Sequence, residues 1–285
     1  MFVIIGLVMV LGSVIGGYLM HHGQLGVLWQ PNEFIILGGA GLGSMIMANS
    51  PAVLKGAMTQ MIGLLKPNPY GGKAYGELLQ ILYEIFQKAR KDGLVGLEVH
   101  IEDPEKSDIF NKYPSFAHNH HAVSLLCDTL KVLLTGTVED HNLAEILDID
   151  LEKHHSAQMH IPHAVSAVSD AMPGFGIVAA VLGVIITMGH IGGEASEIGK
   201  SVAAALVGTF LGILLAYGVL GPIAKSMENR ILAENDYMLC VRTALLAFAR
   251  GDAPMTAVEF ARRNVDPHER PSFSELETLT RGKAA

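Results

Sequence analysis

Charged residues are absent from four long stretches of this sequence, and this absence constrains the fold more than any other feature. None occurs before Glu33, in the 21 residues between Glu33 and Lys55, in the 23 between Asp170 and Glu194, or in the 24 between Lys200 and Lys225. A helix needs about 20 apolar residues to cross a bilayer core of ~30 Å. The pattern therefore predicts an all-α, polytopic membrane protein with four transmembrane helices and a helical cytoplasmic domain. It excludes soluble enzymes and nucleic-acid-binding domains.

The composition agrees with this prediction. Only 17% of the residues are charged and the mean hydropathy is +0.36, whereas roughly a quarter of an ordinary soluble domain is charged. The first stretch has no basic n-region, which favours a retained span over a signal peptide. Cys127 and Cys240 lie far apart with no Cys-x-x-Cys pattern, so neither a disulfide framework nor a cysteine zinc site is expected.

The basic residues predict the orientation. Nineteen of the 20 lie in the two long polar segments, and only Lys200 lies in a short connector. By the positive-inside rule those segments, and both termini, are cytoplasmic. We expect spans 1 and 2 with a short periplasmic loop in 1–54, a cytoplasmic helical domain in 55–170, spans 3 and 4 in 171–224, and a cytoplasmic C-terminal tail in 225–285. The expected location is the bacterial inner membrane, in contact with lipid.

The predicted spans hold no Asp, Glu, Lys or Arg, although ion pathways usually carry an intramembrane carboxylate. Either the chain is a packing scaffold or a second chain supplies the acid. Among the remaining polar groups, Thr209 and Tyr217 are eight residues apart and lie near one face of a helix. A Thr hydroxyl can also bond back to its own helix, and a Tyr can anchor at the membrane interface.

Small residues and prolines mark the spans. Pairs four residues apart allow close helix packing in lipid, and each span has one: Gly12 and Gly16, Gly39 and Gly43, Ala179 and Gly183, Gly208 and Gly212. Pro173 and Pro222 lie at the inner ends of spans 3 and 4. A proline there indicates a helix boundary, which we favour, or else a kink or hinge.

The cytoplasmic segments show helical periodicity. Apolar residues over Lys73–Asp92 predict an amphipathic helix that ends at Gly93, followed by a second helix that begins near Leu94 and carries Glu98. Further helical patterns cover His121–Leu134, Val138–Met159 and Glu228–Arg250. Arg90 and Glu98 are, on spacing alone, ordinary surface charges.

No pattern of catalytic or cofactor-binding residues is present. The domain is rich in histidines, but none forms a His-Glu-x-x-His motif: His118, His120, His121, His154, His155, His160 and His163. No Walker pattern and no nucleophile–base pair occur. The chain is not expected to be an enzyme, and neither a cofactor nor a metal site is expected.

Several segments resemble the MotA family of flagellar stator subunits, within the MotA/TolQ/ExbB proton channels. The span sequence Leu206-Val-Gly-Thr-Phe-Leu-Gly-Ile-Leu-Leu-Ala-Tyr-Gly218 is similar to that family's fourth span, and Pro173-Gly-Phe-Gly-Ile-Val-Ala-Ala180 to the start of its third. In the polar segments, Leu97-Glu98, Tyr113-Pro114 and Arg270-Pro-Ser-Phe273 match as well. The resemblance runs essentially end to end.

This resemblance implies a function that composition could not supply. Such subunits form a homo-oligomeric ring, a pentamer, around MotB, which brings the membrane aspartate, and proton flow turns the ring against the rotor protein FliG. By motif, Arg90 and Glu98 become rotor-interface charges, Pro173 and Pro222 couple ion binding to conformational change, and Thr209, Ala180 and Tyr217 line the ion pathway. Ala180 stands where sodium-driven relatives are expected to have Thr, which favours protons.

Two alternatives remain at this stage. An ExbB/TolQ-like energiser of outer-membrane processes resembles the last two spans, but such proteins typically have three spans and an outside N-terminus. A passive membrane scaffold would also explain the absence of titratable groups in the spans.

Overall fold

The computed structural model describes residues 2–136, 139–189 and 195–281, and within those ranges it contains helices and no strand. The α-helices are α1 Phe2–Met20, α2 Leu25–Leu28, α3 Pro31–Ala48, α4 Pro51–Gly63, α5 Gly72–Asp92, α6 Glu98–Glu102, α7 Pro114–Ala117, α8 His120–Leu134, α9 Asp140–Met188, α10 Ala195–Ile213, α11 Gly221–Ala249, α12 Pro254–Asn264 and α13 Phe273–Arg281. Three short 3₁₀ turns, Leu94–Leu97, Pro104–Lys106 and Phe110–Lys112, and one π-helix, Leu214–Leu220, complete the elements. The all-α fold is confirmed.

The chain divides into two compact units. The first comprises Met1–Pro67 and Ala157–Asn229, and the second comprises Asn68–Ser156 and Arg230–Ala285. Both division points in the second half of the chain fall inside helices, α9 and α11. The domain boundaries predicted from the sequence stay a prediction.

Three helices are long and apolar enough to cross a membrane: Phe2–Met20, a segment within His141–Met188, and a segment within Ile198–Ala249. Predicted span 2 lies on α3, which has 18 residues but begins with Pro31, Asn32 and Glu33. This polar first turn keeps the 18 residues of α3 less apolar than the apolar segments of the other three helices. The count of four spans therefore stays a prediction.

In the first unit, α3 packs through one face. Its buried residues, Glu33, Leu37 and Gly41, recur every four positions and so lie along one side of the helix. Leu37 is fully buried in a cluster with Met172, Val207 and Leu211 of α9 and α10. Gly41 lies under the side chain of Met172, where a Cβ would collide with the methionine.

The closest helix contact in the first unit joins α9 and α10. A Cβ added at Gly176 would lie 2.9 Å from the carbonyl oxygen of Gly208, and one added at Gly212 would lie 2.7 Å from the carbonyl oxygen of Met172. A Cβ at Gly183 would lie 2.6 Å from Cβ of Ala205. The small residues of predicted spans 3 and 4 thus allow the backbones of α9 and α10 to approach closely, as expected. Gly12, Gly16, Gly39 and Gly43, in contrast, have open space beside them within this one chain.

The second unit is built on α5. One face of this helix is fully buried at Leu78, Leu82 and Phe86, and the ring of Phe86 stacks on that of Phe248 in α11 with centroids 4.4 Å apart. Helices α12 and α13 pack against α5. Burying one aromatic side chain of this size stabilises the fold by about 1.5–3 kcal/mol. The predicted amphipathic helix and its terminal glycine, Gly93 with φ +76°, are confirmed.

Two helical predictions have different bounds in the structure. The pattern over Val138–Met159 is the first part of α9, which continues to Met188, and its predicted start at Val138 lies outside the described residues. The second pattern, Glu228–Arg250, lies on α11, which begins earlier, at Gly221. Apolar periodicity predicted that each helix exists, but it did not predict that each is continuous with an apolar segment.

Candidate functional site

Thr209 lies at the closest contact of α9 and α10. Its hydroxyl donates a hydrogen bond to the carbonyl of Gly176 across the helix interface, over 3.4 Å. Thr187, in contrast, donates to Gly183 within its own helix. The sequence allowed Thr209 to hydrogen-bond within its own helix, but in the structure its hydroxyl bonds to α9 instead. Ala180, half-buried, follows Ala179, whose methyl group packs beside Gly208.

A buried carboxylate that the charge pattern did not predict lies beside this contact. Glu33 is 7% exposed, and its Oε2 has no hydrogen-bond partner. A Cβ added at Gly208 would collide with that oxygen and would lie 2.8 Å from Cβ of Ala179. The Glu33 carboxylate therefore occupies the crevice between α9 and α10, one residue from Thr209.

The charge pattern alone assigns Glu33 to the end of the predicted connector between spans 1 and 2, His21–Glu33. The structure begins α3 at Pro31, so Glu33 lies in the first helical turn. The sequence carried one usable signal: Glu33, Leu37 and Gly41 share a helix face, and that face is the buried one.

The π-helix Leu214–Leu220 precedes Pro222. The N–H of Gly221 donates to the carbonyl of Ala216, five residues earlier, which is the spacing of a π-helix. Proline has no N–H, and in a regular α-helix its ring collides with the carbonyl four residues earlier. The wider turn of the π-helix before Pro222 accommodates both the missing N–H and the bulk of the ring.

Tyr217 lies in this π-helix and is 69% exposed. Thr209, in contrast, is partly buried and hydrogen-bonds to α9. The structure therefore brings Thr209 and the unpredicted Glu33 together, places Ala180 next to Ala179 of the same contact, and leaves Tyr217 largely exposed.

The boundary interpretation of Pro173 is wrong. Pro173 lies inside the continuous helix α9, so its missing N–H interrupts the helix rather than starting it. The carbonyl that loses its partner in such an interruption belongs to the residue four positions earlier, Ser169. The Ser169 hydroxyl, itself buried, donates to the carbonyl of Ala216 in the π-helix at 2.8 Å. The two proline-bearing segments are thus joined by one buried hydrogen bond.

Arg90 and Glu98 lie on the surface of the second unit. Arg90 is in the last turn of α5, and Glu98 begins α6 after the turn at Gly93. Both side chains are exposed, and neither forms an ion pair within the described parts of the chain. Val95 and Val99, between and beside them, are 70% and 78% exposed. Arg90 also lines an open groove of about 750 Å³ with Lys88 and Lys91.

Comparisons with known proteins identify the family of this chain. The model of the Motility protein A N-terminal family matches residues 4–93, and that of the MotA/TolQ/ExbB proton channel family matches residues 118–239. Motility protein A of Escherichia coli is 39% identical over 281 residues, which covers 99% of this chain and 95% of that protein.

Two solved structures share the fold. The Campylobacter jejuni MotAB structure matches with a TM-score of 0.76 at 18% identity, over 95% of this chain and 98% of that chain. The flagellar MotAB stator complex of Bacillus subtilis matches with a TM-score of 0.69 at 21% identity, over 90% and 92%. The chain therefore belongs to the MotA family of motility proteins, whose members are multi-pass membrane subunits of a proton-channel stator and not enzymes.

Proposed function

We propose that this chain forms a homo-oligomeric ring of five copies around MotB in the bacterial inner membrane, with four spans and both termini in the cytoplasm. Relatives of this fold are solved as complexes of MotA with MotB. The open space beside Gly12, Gly16, Gly39 and Gly43 supports assembly, because small residues that pack against nothing within one chain leave room for neighbouring helices.

The observation that carries the proposed ion pathway is the polar group cluster at the α9–α10 contact. The Glu33 carboxylate of α3 lies beside Gly208 of α10, and the next residue of α10, Thr209, supplies the hydroxyl. Buried ionisable groups in membrane segments are costly and mark ion pathways. We propose that Glu33 passes protons to or from the aspartate that MotB supplies, and that Thr209 and Ala180 line the route.

Ala180 accounts for the choice of ion in this proposal. A dehydrated sodium ion needs several oxygen ligands, whereas a proton needs one acceptor and a chain of water molecules. The methyl group of Ala180 adds no oxygen to those of Thr209 and Glu33. The pathway is therefore built for protons, with Tyr217 at its edge.

The prolines and surface charges complete the proposed cycle. Pro173 and Pro222 weaken α9 and α11 near the Ser169–Ala216 hydrogen bond, so ion binding can bend both helices together. Movement of the cytoplasmic unit then acts on FliG through Arg90 and Glu98, which are exposed and free to meet charges of a partner.

Deletion of the gene separates this function from the ExbB/TolQ alternative. We expect deletion cells to assemble flagella but not to swim, to recover swimming when the chain is restored, and to take up iron siderophores normally. Loss of siderophore uptake with normal swimming would instead support the alternative.

A further inference from the structure

Three potential metal ligands from three helices meet in the second unit. His121 of α8, His154 of α9 and Glu234 of α11 each offer one ligand atom, and all three atoms lie within 4.8 Å of one another. The Nε2 of His154 is 3.5 Å from Oε1 of Glu234. The imidazole rings of His121 and His154 stack with centroids 3.5 Å apart and planes 15° from parallel.

Both histidines have a ring nitrogen available for a ligand. The Nδ1 of His121 and the Nε2 of His154 are buried and make no hydrogen bond. Metal ions bind imidazole through an unprotonated ring nitrogen. Buried polar atoms in proteins normally have a bonding partner, and a bound metal ion would supply one to both of these nitrogens and to the carboxylate beside them.

We propose that His121, His154 and Glu234 bind a divalent transition-metal ion, with Zn²⁺ the best match and a water molecule as the fourth ligand. Two histidines and one glutamate form a known zinc ligand set, with Zn–N and Zn–O distances near 2.0–2.2 Å. Tetrahedral ligands at such distances are about 3.3 Å apart, and the His154–Glu234 pair is already at 3.5 Å. Because imidazole lone pairs lie in the ring plane, His121 must rotate out of the stack to complete the site.

The surroundings of the cluster fit this role. The Tyr70 hydroxyl lies against the Glu234 carboxylate, where it can orient that ligand. A groove of about 260 Å³, lined by His121 with Leu125, Asp128 and Asp150, gives an entry route and the room in which His121 can rotate. A bound ion would cross-link α8, α9 and α11. The three ligands form no His-Glu-x-x-His motif because they are distant in sequence.

The test is metal binding by the full chain, purified with its MotB partner through a tag without histidines and stripped with a chelator. We expect one tight Zn²⁺ site per copy of this chain, the visible absorption of four-coordinate Co²⁺ when Co²⁺ replaces Zn²⁺, and a higher thermal unfolding temperature with Zn²⁺. His121→Ala and Glu234→Gln should each weaken binding by about tenfold or more.

The matched control is His120→Ala, which removes an exposed histidine next to His121 on the same helix and should leave the site intact. Glu234→Gln keeps the size of the side chain, so it separates loss of a ligand from loss of the fold. The proposal is overturned if the unaltered chain binds no Zn²⁺, or if both ligand variants bind it with unchanged stoichiometry and affinity.

Discussion

A polar atom buried without a hydrogen-bond partner costs a protein about 1–3 kcal/mol, and Oε2 of Glu33 is such an atom. A glutamine would satisfy the packing of this crevice equally well in size, and an apolar residue would avoid the cost. The Glu33 carboxylate lies beside Gly208, one residue from Thr209, in the proposed ion pathway. There it can serve in proton transfer, because a carboxylate can take up and release protons at physiological pH and a hydroxyl cannot.

The first prediction concerns this carboxylate. Glu33→Gln keeps the shape of the side chain but removes its titration, so we expect swimming speed to fall about tenfold or more, with normal amounts of protein in the membrane. Glu33→Asp should retain part of the activity. Glu105→Gln, the same change at an exposed position, serves as the control. Normal swimming of the Glu33→Gln strain would show that this residue only packs.

The second prediction concerns the rotor-facing charges. Surface substitutions usually change stability by no more than about 0.5 kcal/mol, so Arg90→Glu and Glu98→Lys should leave the protein in the membrane at normal levels. Both should impair swimming, because a contact made through charge responds to its sign. An opposite reversal on the rotor should partly restore swimming.

Matched controls for these reversals are available at exposed charges away from Arg90 and Glu98. Lys73→Glu, at the start of α5, and Glu105→Lys, in the turn Pro104–Lys106, reverse such charges, and we expect both variants to swim nearly normally. If Arg90→Glu removes the protein from the membrane, or if both site reversals swim normally, the rotor contact lies elsewhere.

At the scale of elements, the interrupted helices of the first unit act as a pair. Proline removes one backbone hydrogen bond from α9, and a π-helix precedes Pro222. Such irregular turns often accompany functional movement. The buried bond from Ser169 to the carbonyl of Ala216 is the one direct polar link described between the two irregular segments.

The third prediction follows from that link. Ser169→Ala removes the second donor of the Ala216 carbonyl, which costs about 1 kcal/mol and uncouples bending of the two helices. We expect swimming speed to fall by about half or more while membrane insertion stays normal. Ser44→Ala is the control, because the Ser44 hydroxyl bonds only within its own helix, to Gly41. Equal effects of the two changes would contradict a coupling role for Ser169.

How far the sequence predicts such elements depends on the kind of signal. The spacing of Leu78, Leu82 and Phe86 predicted the buried face of α5, and the small residues predicted the close approach at Gly183 and Gly208. Pro173 misled the boundary prediction, because a proline is compatible with both an end and an interruption of a helix. The π-helix could not be predicted, since it depends on how Ser169 and Gly221 both meet the Ala216 carbonyl.

At the scale of the whole molecule, the site was predicted in part. Thr209 and Ala180 followed from the family's span sequence, and the structure places Thr209 against α9 as an interhelical donor. Glu33 was predicted to lie in a loop, because the positions of charged residues alone cannot distinguish the first turn of a helix from the loop before it. His121, His154 and Glu234 could not be grouped from spacing, because only the packing of three helices brings them together.

The fourth prediction is that flagellar rotation by this chain is driven by protons and requires MotB. It is tested by the rotation rate of tethered cells that lack their own copy of this gene and carry the chain, with or without MotB, while a protonophore is titrated in sodium-free medium. Because the route through Thr209, Ala180 and Glu33 offers too few oxygens for sodium, we expect rotation without sodium, a decline in rate with added protonophore, and no rotation without MotB. Rotation that requires sodium, or that persists when MotB is absent, would contradict it.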